Sequence, residues 1–102
     1  MFTVSPNITI AEAVQEMNRH RVGSVVVMEG SRLAGIFTER DVLTRVVAMD
    51  FDPKKHTVAE VMTRDLTTVA PAESLENCMR LMREHGFRHL PVCDGGKFIG
   101  VI

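Results

Sequence analysis

Two four-residue stretches, Thr3-Val4-Ser5-Pro6 and Thr68-Val69-Ala70-Pro71, decide the fold of this chain because they are copies of one motif. They lie 65 positions apart, and the same offset continues without a gap to the C-terminus. Identical residues recur at this offset: Met17 and Met82, His20 and His85, Val27 and Val92, Gly30 and Gly95, and Gly35 and Gly100. A register kept over this length indicates an internal duplication.

Each copy begins with a short extended segment, a proline turn and then a predicted helix. Apolar residues at positions i, i+3, i+4 and i+7 indicate the helix and its buried face. They are Ile10, Ala13, Val14 and Met17 in the first copy, and Leu75, Cys78, Met79 and Met82 in the second. We predict that Thr9 and Ser74 cap these helices, that Gly86 ends the second one, and that the methionines pack in the core.

A β-branched run follows each helix, from Ser24 to Met28 and from Leu90 to Cys93. Each run precedes a glycine turn and a second apolar run, which predicts a hairpin. Pro91 places its strand at a sheet edge or a bulge. In the first copy, Thr38 is then predicted to cap a second helix, so that the full unit reads β-α-β-β-α. The predicted buried side of that helix carries Val42, Leu43, Val46 and Val47.

The chain therefore divides into a first repeat at residues 1–50, a connector at 51–65 and a second repeat at 66–102. In the connector, Thr57 and Glu60 form a capping-box signature that predicts a short helix. A unit of this size cannot bury its sheet alone, so we expect an α/β fold in which the two repeats pack sheet to sheet about a pseudo-twofold axis. The cleft between them is the expected ligand site.

Composition excludes several classes of function. Twelve basic and thirteen acidic residues give a net charge of −1, without the basic stripe that nucleic-acid binding requires. Apolar runs such as Val25 to Met28 are too short to span a bilayer, and no basic segment precedes an apolar one at the start. With Cys78 and Cys93 interpreted as buried free thiols, we expect a cytoplasmic protein that binds neither nucleic acid nor membrane.

Together with the duplication, the segments Val61-Met62-Thr63 and Gly35-Ile36-Phe37-Thr38-Glu39-Arg40-Asp41 resemble the CBS (cystathionine-β-synthase-type) domain family. The second segment matches the family's Gly-x-x-Thr/Ser-x-x-Asp pattern. In that family the hydroxyl and the carboxylate of the pattern hold the ribose and the phosphate of an adenosine nucleotide. The resemblance covers nearly the whole chain and implies a regulatory module.

The resemblance also implies a ligand site that bridges the two repeats. A carboxylate such as Asp41 can accept hydrogen bonds from both ribose hydroxyls, and Thr38 lies at a helix start, which favours a phosphate. In the second repeat, Arg88 and His89 would meet phosphates while apolar neighbours enclose the base. The predicted ligand-binding residues are Ile36, Thr38, Asp41, Thr68, Val69, Phe87, Arg88 and His89. The second copy of the pattern would fall beyond Ile102.

Simpler explanations exist for some of these residues. Thr38 and Asp41 could form only a helix cap, and Arg88 and His89 could be surface residues at a strand start.

A metal site and a catalytic site are not expected. His85, His89 and Cys93 have four-residue spacing but straddle a helix end and a strand, so they do not share one helical face. No nucleophile, base and orienting group converge at a readable spacing, so we predict that the chain is not an enzyme and needs no cofactor.

Three functions are compatible with the sequence. The leading hypothesis is a non-catalytic regulatory module that binds AMP, ATP, S-adenosylmethionine or an NAD-type ligand. The alternatives are a structural dimerisation or docking module that binds no nucleotide, and a regulatory fragment of a larger enzyme or transporter. Members of the family commonly form homodimers through their helices, so the exposed sides of Ala11–His20 and Glu76–His85 are the candidate interface.

Overall fold

Each half of the chain forms its own α/β unit in the computed structural model, which describes residues 2–64, 66–86 and 90–102. The units are Met1–Asp65 and Leu66–Ile102. The first contains β1 (Thr3–Val4), α1 (Ile10–His20), β2 (Ser24–Glu29), β3 (Arg32–Thr38), α2 (Glu39–Asp41), a π-helical segment (Val42–Val47) and α3 (Val58–Val61). The second contains α4 (Leu75–His85), β4 (Pro91–Asp94) and β5 (Lys97–Val101).

The core of the first unit lies between α1 and a three-stranded sheet of order β1-β2-β3. In this sheet β1 runs parallel to β2, and β3 runs antiparallel to it. The valines of β2 suit a buried pleated surface, and Val25 and Val27 are fully buried. From α1, Ile10, Ala13 and Met17 pack against them, which confirms the predicted face of this helix.

The helix ends follow the predicted capping chemistry. The Thr9 hydroxyl accepts a hydrogen bond from the backbone N–H of Glu12, and the Ser74 hydroxyl accepts one from Asn77, both at 3.1 Å. Gly86 ends α4 with a φ of 70°, as predicted. Arg21, its counterpart in the first copy, ends α1 with a φ of 54° even though it has a Cβ. The duplicated fold therefore imposes the same left-handed residue at both helix ends.

The two hairpins also repeat each other in register. Val4 pairs in parallel with Val27 in the first unit, and Val69 pairs in parallel with Val92 in the second. Each hairpin has a β-bulge directly after the paired valine of its first strand. Both predicted hairpins are confirmed, and the duplication extends to the irregularities of the backbone.

The prediction that the strand of Pro91 lies at a sheet edge or contains a bulge is confirmed by the bulge between Val92 and Cys93. Val69 lies along the other side of this strand: its amide donates to the carbonyl of Pro91 at 3.0 Å, and its carbonyl accepts from the amide of Cys93 at 2.9 Å. Pro91 is tolerated because it is the first residue of β4, where a missing N–H costs little.

Cys93 is only partly buried, so the prediction of a buried thiol holds for Cys78 alone.

The helix that follows β3 differs from the prediction at Leu43 and Val47. These side chains are 64% and 66% exposed, whereas Val46 is buried and Val42 partly buried. The cause is the π-helical backbone, in which hydrogen bonds join residues five apart; the Phe51 amide donates to the Val46 carbonyl at 3.0 Å. The wider turn places Val46 and Phe51 on the core side and leaves the other two outside.

The buried face of α4 is also shifted from its predicted position. Cys78 is buried and Leu81 and Met82 pack beside it, but Leu75 and Met79 are exposed. Since residues on a helix advance by about 100° each, a buried stripe centred between Cys78 and Leu81 turns Met79 away from the core. The prediction that Met79 is a core residue is therefore wrong.

The segment predicted as a connector packs within the first unit. Val58, Val61 and Met62 belong to its buried cluster, together with side chains from α1 and the sheet. Residues 58–62 thus contribute apolar surface to the core.

The short helix α3 is capped as predicted. The backbone N–H of Thr57 donates to the Glu60 carboxylate at 2.6 Å. The same carboxylate lies 3.0 Å from Nδ1 of His56. The contact with His56, and after it the bond from Thr57, holds the pKa of the Glu60 carboxyl below its ordinary value.

Behind α3, the backbone at residues 62–63 lies directly against β3. Thr63 and Ile36 exchange two backbone hydrogen bonds of 2.8 and 3.0 Å. A Cβ added to Gly35 would lie 2.7 Å from the Thr63 carbonyl oxygen and 2.8 Å from the Met62 sulfur. This approach therefore requires a glycine at position 35.

We expect Gly35→Ala to lower the free energy of unfolding by about 1–3 kcal/mol, because the backbone at Thr63 must move to admit the methyl group. Gly100→Ala is the matched control: it is the repeat counterpart of Gly35, and a Cβ there meets nothing within 4 Å. Urea unfolding of the two variants measures the difference. Equal losses in both would contradict the close approach.

Candidate ligand site around Asp41

Three of the predicted ligand-binding residues lie together where β3 passes into α2. Ile36 is partly buried and pairs with Val26 within the sheet. Thr38 is the last residue of β3, and Asp41 is the last of α2. The local pattern of a strand followed by a capped helix is sufficient to bring these side chains to one end of the sheet.

Thr38 and Asp41 form a reciprocal capping box. Asp41 Oδ2 accepts from the backbone N–H of Thr38 at 3.0 Å and from its hydroxyl at 3.1 Å. The Thr38 hydroxyl oxygen in turn accepts the backbone N–H of Asp41 at 3.2 Å. Asp41 is only 5% exposed. The helix-cap explanation of this pair is therefore correct, and a ligand role would be additional to it.

Two residues outside the predicted set complete the surroundings of the carboxylate. The Thr63 hydroxyl lies 3.2 Å from Asp41 Oδ1 and 3.4 Å from Oδ2. Arg45 Nε lies 3.7 Å from Oδ1, and Arg45 Nη1 donates to the carbonyls of Val61 and Met62 at 3.3 and 3.0 Å. These contacts tie the end of α2 and the π-helical segment to the end of α3.

Only one of these two residues carries a signal in the sequence. Arg45 follows Asp41 by four positions, a spacing at which opposite charges meet on a helix. Thr63 lies 22 positions from Asp41, and its approach depends on the backbone bridge to Ile36. No local pattern predicts that contact.

The backbone amides at the start of α2 are largely occupied. The Thr38 amide donates to Asp41, the Asp41 amide donates to Thr38, and the Glu39 amide donates to the Gly23 carbonyl at 3.0 Å. The start of this helix therefore retains less capacity for a phosphate than the sequence pattern suggests. The predicted role of Thr38 in phosphate binding stays a prediction.

The remaining predicted residues belong to the second repeat. Thr68 is exposed and Val69 is buried in the core of the second unit. Phe87, Arg88 and His89 lie outside the described residues, so their predicted roles stay predictions.

Elsewhere in the first unit there is an open depression of about 320 Å³. It contains none of the predicted ligand-binding residues. Its lining consists of Phe2, Thr3, Val4, Ser5, Ile8, Glu12, Gln15 and Glu16. Ile36, Thr38 and Asp41 therefore do not line this depression.

Two kinds of site are absent from residues 2–64, 66–86 and 90–102. In these ranges no group of three His, Cys, Asp or Glu side chains is arranged to hold a metal ion. No helix there combines the length and the apolar character needed to cross a membrane.

The fold and the capped acidic motif define a duplicated α/β module, and the comparisons with known proteins identify its family. The family model of the CBS domain matches residues 1–48 and 58–102. The chain therefore belongs to the CBS-domain family, as a pair of CBS domains. Both the resemblance and the duplicated α/β fold are confirmed.

Similar proteins occur in bacteria and plants. The chain is 40% identical over 100 residues to the CBS domain-containing protein YhcV of Bacillus subtilis, covering 98% of this chain and 71% of that protein. It is 36% identical over 99 residues to the mitochondrial CBS domain-containing protein CBSX3 of Arabidopsis thaliana, covering 92% of this chain and 48% of that protein. The chain thus spans only part of each relative's length.

Solved structures share the whole fold. The CBS-domain containing protein ATU1752 from Agrobacterium tumefaciens matches with a TM-score of 0.87 and 31% identity, covering 100% of this chain and 82% of that one. A hexameric CBS-CP12 protein from bloom-forming cyanobacteria matches with a TM-score of 0.81 and 30% identity, covering 100% of this chain and 60% of that one.

We expect Arg45→Met to lower the free energy of unfolding by about 1–2 kcal/mol, chiefly through the two lost bonds to the carbonyls of Val61 and Met62. The half-exposed ion pair with Asp41 should add little. The control is Arg19→Met, which removes a shorter but exposed ion pair of 3.2 Å with Glu16. We expect the control to lose less than about 0.5 kcal/mol of the free energy of unfolding. Thermal unfolding measures both variants. Similar losses in the two would contradict a role of Arg45 in holding the end of α3.

Proposed function

We propose that this pair of CBS domains is a non-catalytic regulatory module that binds an adenosine-containing ligand in the cleft between the repeats. The candidates are AMP, ATP, S-adenosylmethionine and an NAD-type dinucleotide. The observation that carries the proposal is the Asp41 carboxylate, which lies in the family's pattern, is almost completely buried and is held in position by the capping box of α2.

The hydrogen bonds of this carboxylate indicate which oxygen a ligand would use. Two donors from Thr38 already occupy Asp41 Oδ2. Oδ1 has longer contacts, at 3.2 Å to the Thr63 hydroxyl and 3.7 Å to Arg45. A ribose hydroxyl would therefore bind chiefly at Oδ1, as a charge-assisted hydrogen bond that discriminates hydroxyl donors from acceptors.

The second repeat would supply the other wall of the site. Thr68 and Val69 would lie beside the ligand, Phe87 would cover the base, and Arg88 and His89 would bind phosphate oxygens. An arginine is well suited to this role because its planar guanidinium can donate two parallel hydrogen bonds to a phosphate. Each of these assignments rests on the family pattern.

Regulation would follow from a difference in ligand affinity between two arrangements of the module. A ligand that binds one arrangement more tightly shifts the population toward it, and a partner or an attached domain senses the change. A cytoplasmic location is supported by the free thiols of Cys78 and Cys93. The greater length of the relatives supports a regulatory part within a larger protein.

A second candidate function is a docking module that binds no nucleotide. It is favoured by the internal donors around Asp41, which account for the carboxylate without a ligand. Apolar side chains exposed on Leu43, Val47 and Met49 favour it as well. We propose that the chain forms a homodimer, and that these three residues extend the interface first expected on Ala11–His20 and Glu76–His85.

The ligand proposal is tested by thermal unfolding with AMP, ATP, S-adenosylmethionine or NADH. A ligand at about 100 times its Kd adds about 2.7 kcal/mol, which raises the midpoint by on the order of 10 °C for a domain of this size. We expect this rise in the wild-type protein and its loss in Asp41→Ala, because the variant lacks the acceptor.

Glu60→Ala is the matched control, since it removes the same capping-box position from α3 without touching Asp41. It should keep the ligand-induced rise, measured from its own baseline. A rise of equal size in Asp41→Ala would exclude the carboxylate from the site. No rise with any of the four ligands would leave the docking module as the better explanation.

The homodimer proposal is tested by sedimentation equilibrium. We expect Leu43→Glu to weaken association by at least about tenfold, because a buried unpaired carboxylate costs more than 1.4 kcal/mol. Lys54→Glu, a charge change at an exposed turn outside the apolar surface, should leave association unchanged. If Leu43→Glu associates as the wild type does, the interface does not include this surface.

A further inference from the structure

We propose that the Thr63 hydroxyl is an internal competitor for the ligand: it occupies the acceptor position on Asp41 that a ribose cis-diol would take. This inference rests on the proposed function, because it assigns a specificity-determining residue to the same site. It concerns the first repeat alone and needs no contribution from the second.

The Asp41 carboxylate can accept only a limited number of hydrogen bonds. An ionised carboxylate offers about four lone-pair positions. The backbone N–H and hydroxyl of Thr38 fill two of them on Oδ2 of Asp41. The Thr63 hydroxyl and Arg45 Nε take up the remaining space, on Oδ1 and between the two oxygens. A ligand with two hydroxyls must therefore displace a group that already contacts this carboxylate.

The groups around the Asp41 carboxylate differ in how readily they can be displaced. The bonds from Thr38 are the shortest, at 3.0 and 3.1 Å, and belong to the cap of α2. Arg45 is held by the carbonyls of Val61 and Met62. The Thr63 hydroxyl makes only a long, divided contact with Asp41, and its loss leaves the backbone of the residue in place. The Thr63 hydroxyl is therefore the group that a ligand displaces most easily.

Thr63 stays beside the carboxylate after its hydroxyl is displaced. Its backbone stays paired to Ile36 by bonds of 2.8 and 3.0 Å, so the side chain remains next to the carboxylate. The residue is partly exposed, so a displaced hydroxyl can reach water by rotation about its bonds. The competitor thus stays close to the site and is always available to rebind.

The consequence is a preference that depends on the number of ligand hydroxyls. Because Thr38 fills Oδ2, a cis-diol needs both acceptor positions on Oδ1 and must displace Thr63 from one of them. A 2′-deoxyribose has one hydroxyl to offer and can take the Oδ1 position that Arg45 approaches only to 3.7 Å, which leaves the Thr63 contact in place. Removal of the Thr63 hydroxyl should therefore strengthen binding of the ribose form and have little effect on the deoxyribose form.

The experiment compares wild-type protein with Thr63→Val, which has nearly the same shape but lacks the hydroxyl. Calorimetric titrations use AMP and ATP, each beside its 2′-deoxy form. We expect Thr63→Val to bind the ribose forms about tenfold more tightly, the worth of one hydrogen bond to a charged group. The Kd of the deoxy forms should change by less than about threefold.

Thr63→Ser keeps the hydroxyl and should bind like the wild type, which separates loss of the competitor from a change in packing. Circular dichroism checks that each variant is folded, and Thr63→Ala replaces the valine variant if that one does not fold. Unchanged or weaker binding of AMP and ATP by a folded variant without the hydroxyl would overturn the inference, while the proposed function would stand on Asp41. Failure of both wild-type and variant proteins to bind any of the four nucleotides, together with no thermal rise from S-adenosylmethionine or NADH, would overturn the proposed function, and the inference with it.

Discussion

The backbone contact between Thr63 and Ile36 supports the rest of the first unit. It is possible because Gly35 has no side chain where the Thr63 carbonyl and the Met62 sulfur approach β3. This contact holds α3 against the core and brings the Thr63 hydroxyl to Asp41. It also presents the carbonyls of residues 61 and 62 to Arg45. The candidate ligand site and the packing of α3 therefore depend on one close approach of two backbone segments.

The same carboxylate has a structural role and a proposed ligand role, and the two are compatible because they use different oxygens. Asp41 Oδ2 closes the cap of α2 through Thr38. Oδ1 has the longer contacts and is the better acceptor for a ligand hydroxyl. A site of this kind is already rigid before a ligand arrives, so little ordering entropy is lost on binding. Its cost is that the ligand must compete with an internal donor.

The two repeats share their backbone but differ in burial. Their hairpins have the same register and the same bulge, and their first helices end in the same left-handed conformation, at Arg21 and at Gly86. In the first unit, however, Val58 and Val61 from α3 add to the core beneath the sheet. The described part of the second unit has a smaller buried cluster, centred on Cys78 and Leu90. Duplication of sequence thus preserved geometry more closely than packing.

By itself, the sequence determined the duplication, the helix caps, both hairpins, the family, and the grouping of Ile36, Thr38 and Asp41, because each depends on residues close in the chain or on a constant offset. Tertiary structure alone decided the contact of Thr63 with Asp41 and the exposure of Leu43 and Val47. The first joins residues 22 positions apart through a strand bridge. The second follows from a π-helical turn, which changes the helical period that sequence patterns assume. Local periodicity cannot report either of them, since both are set by how distant segments pack against the sheet.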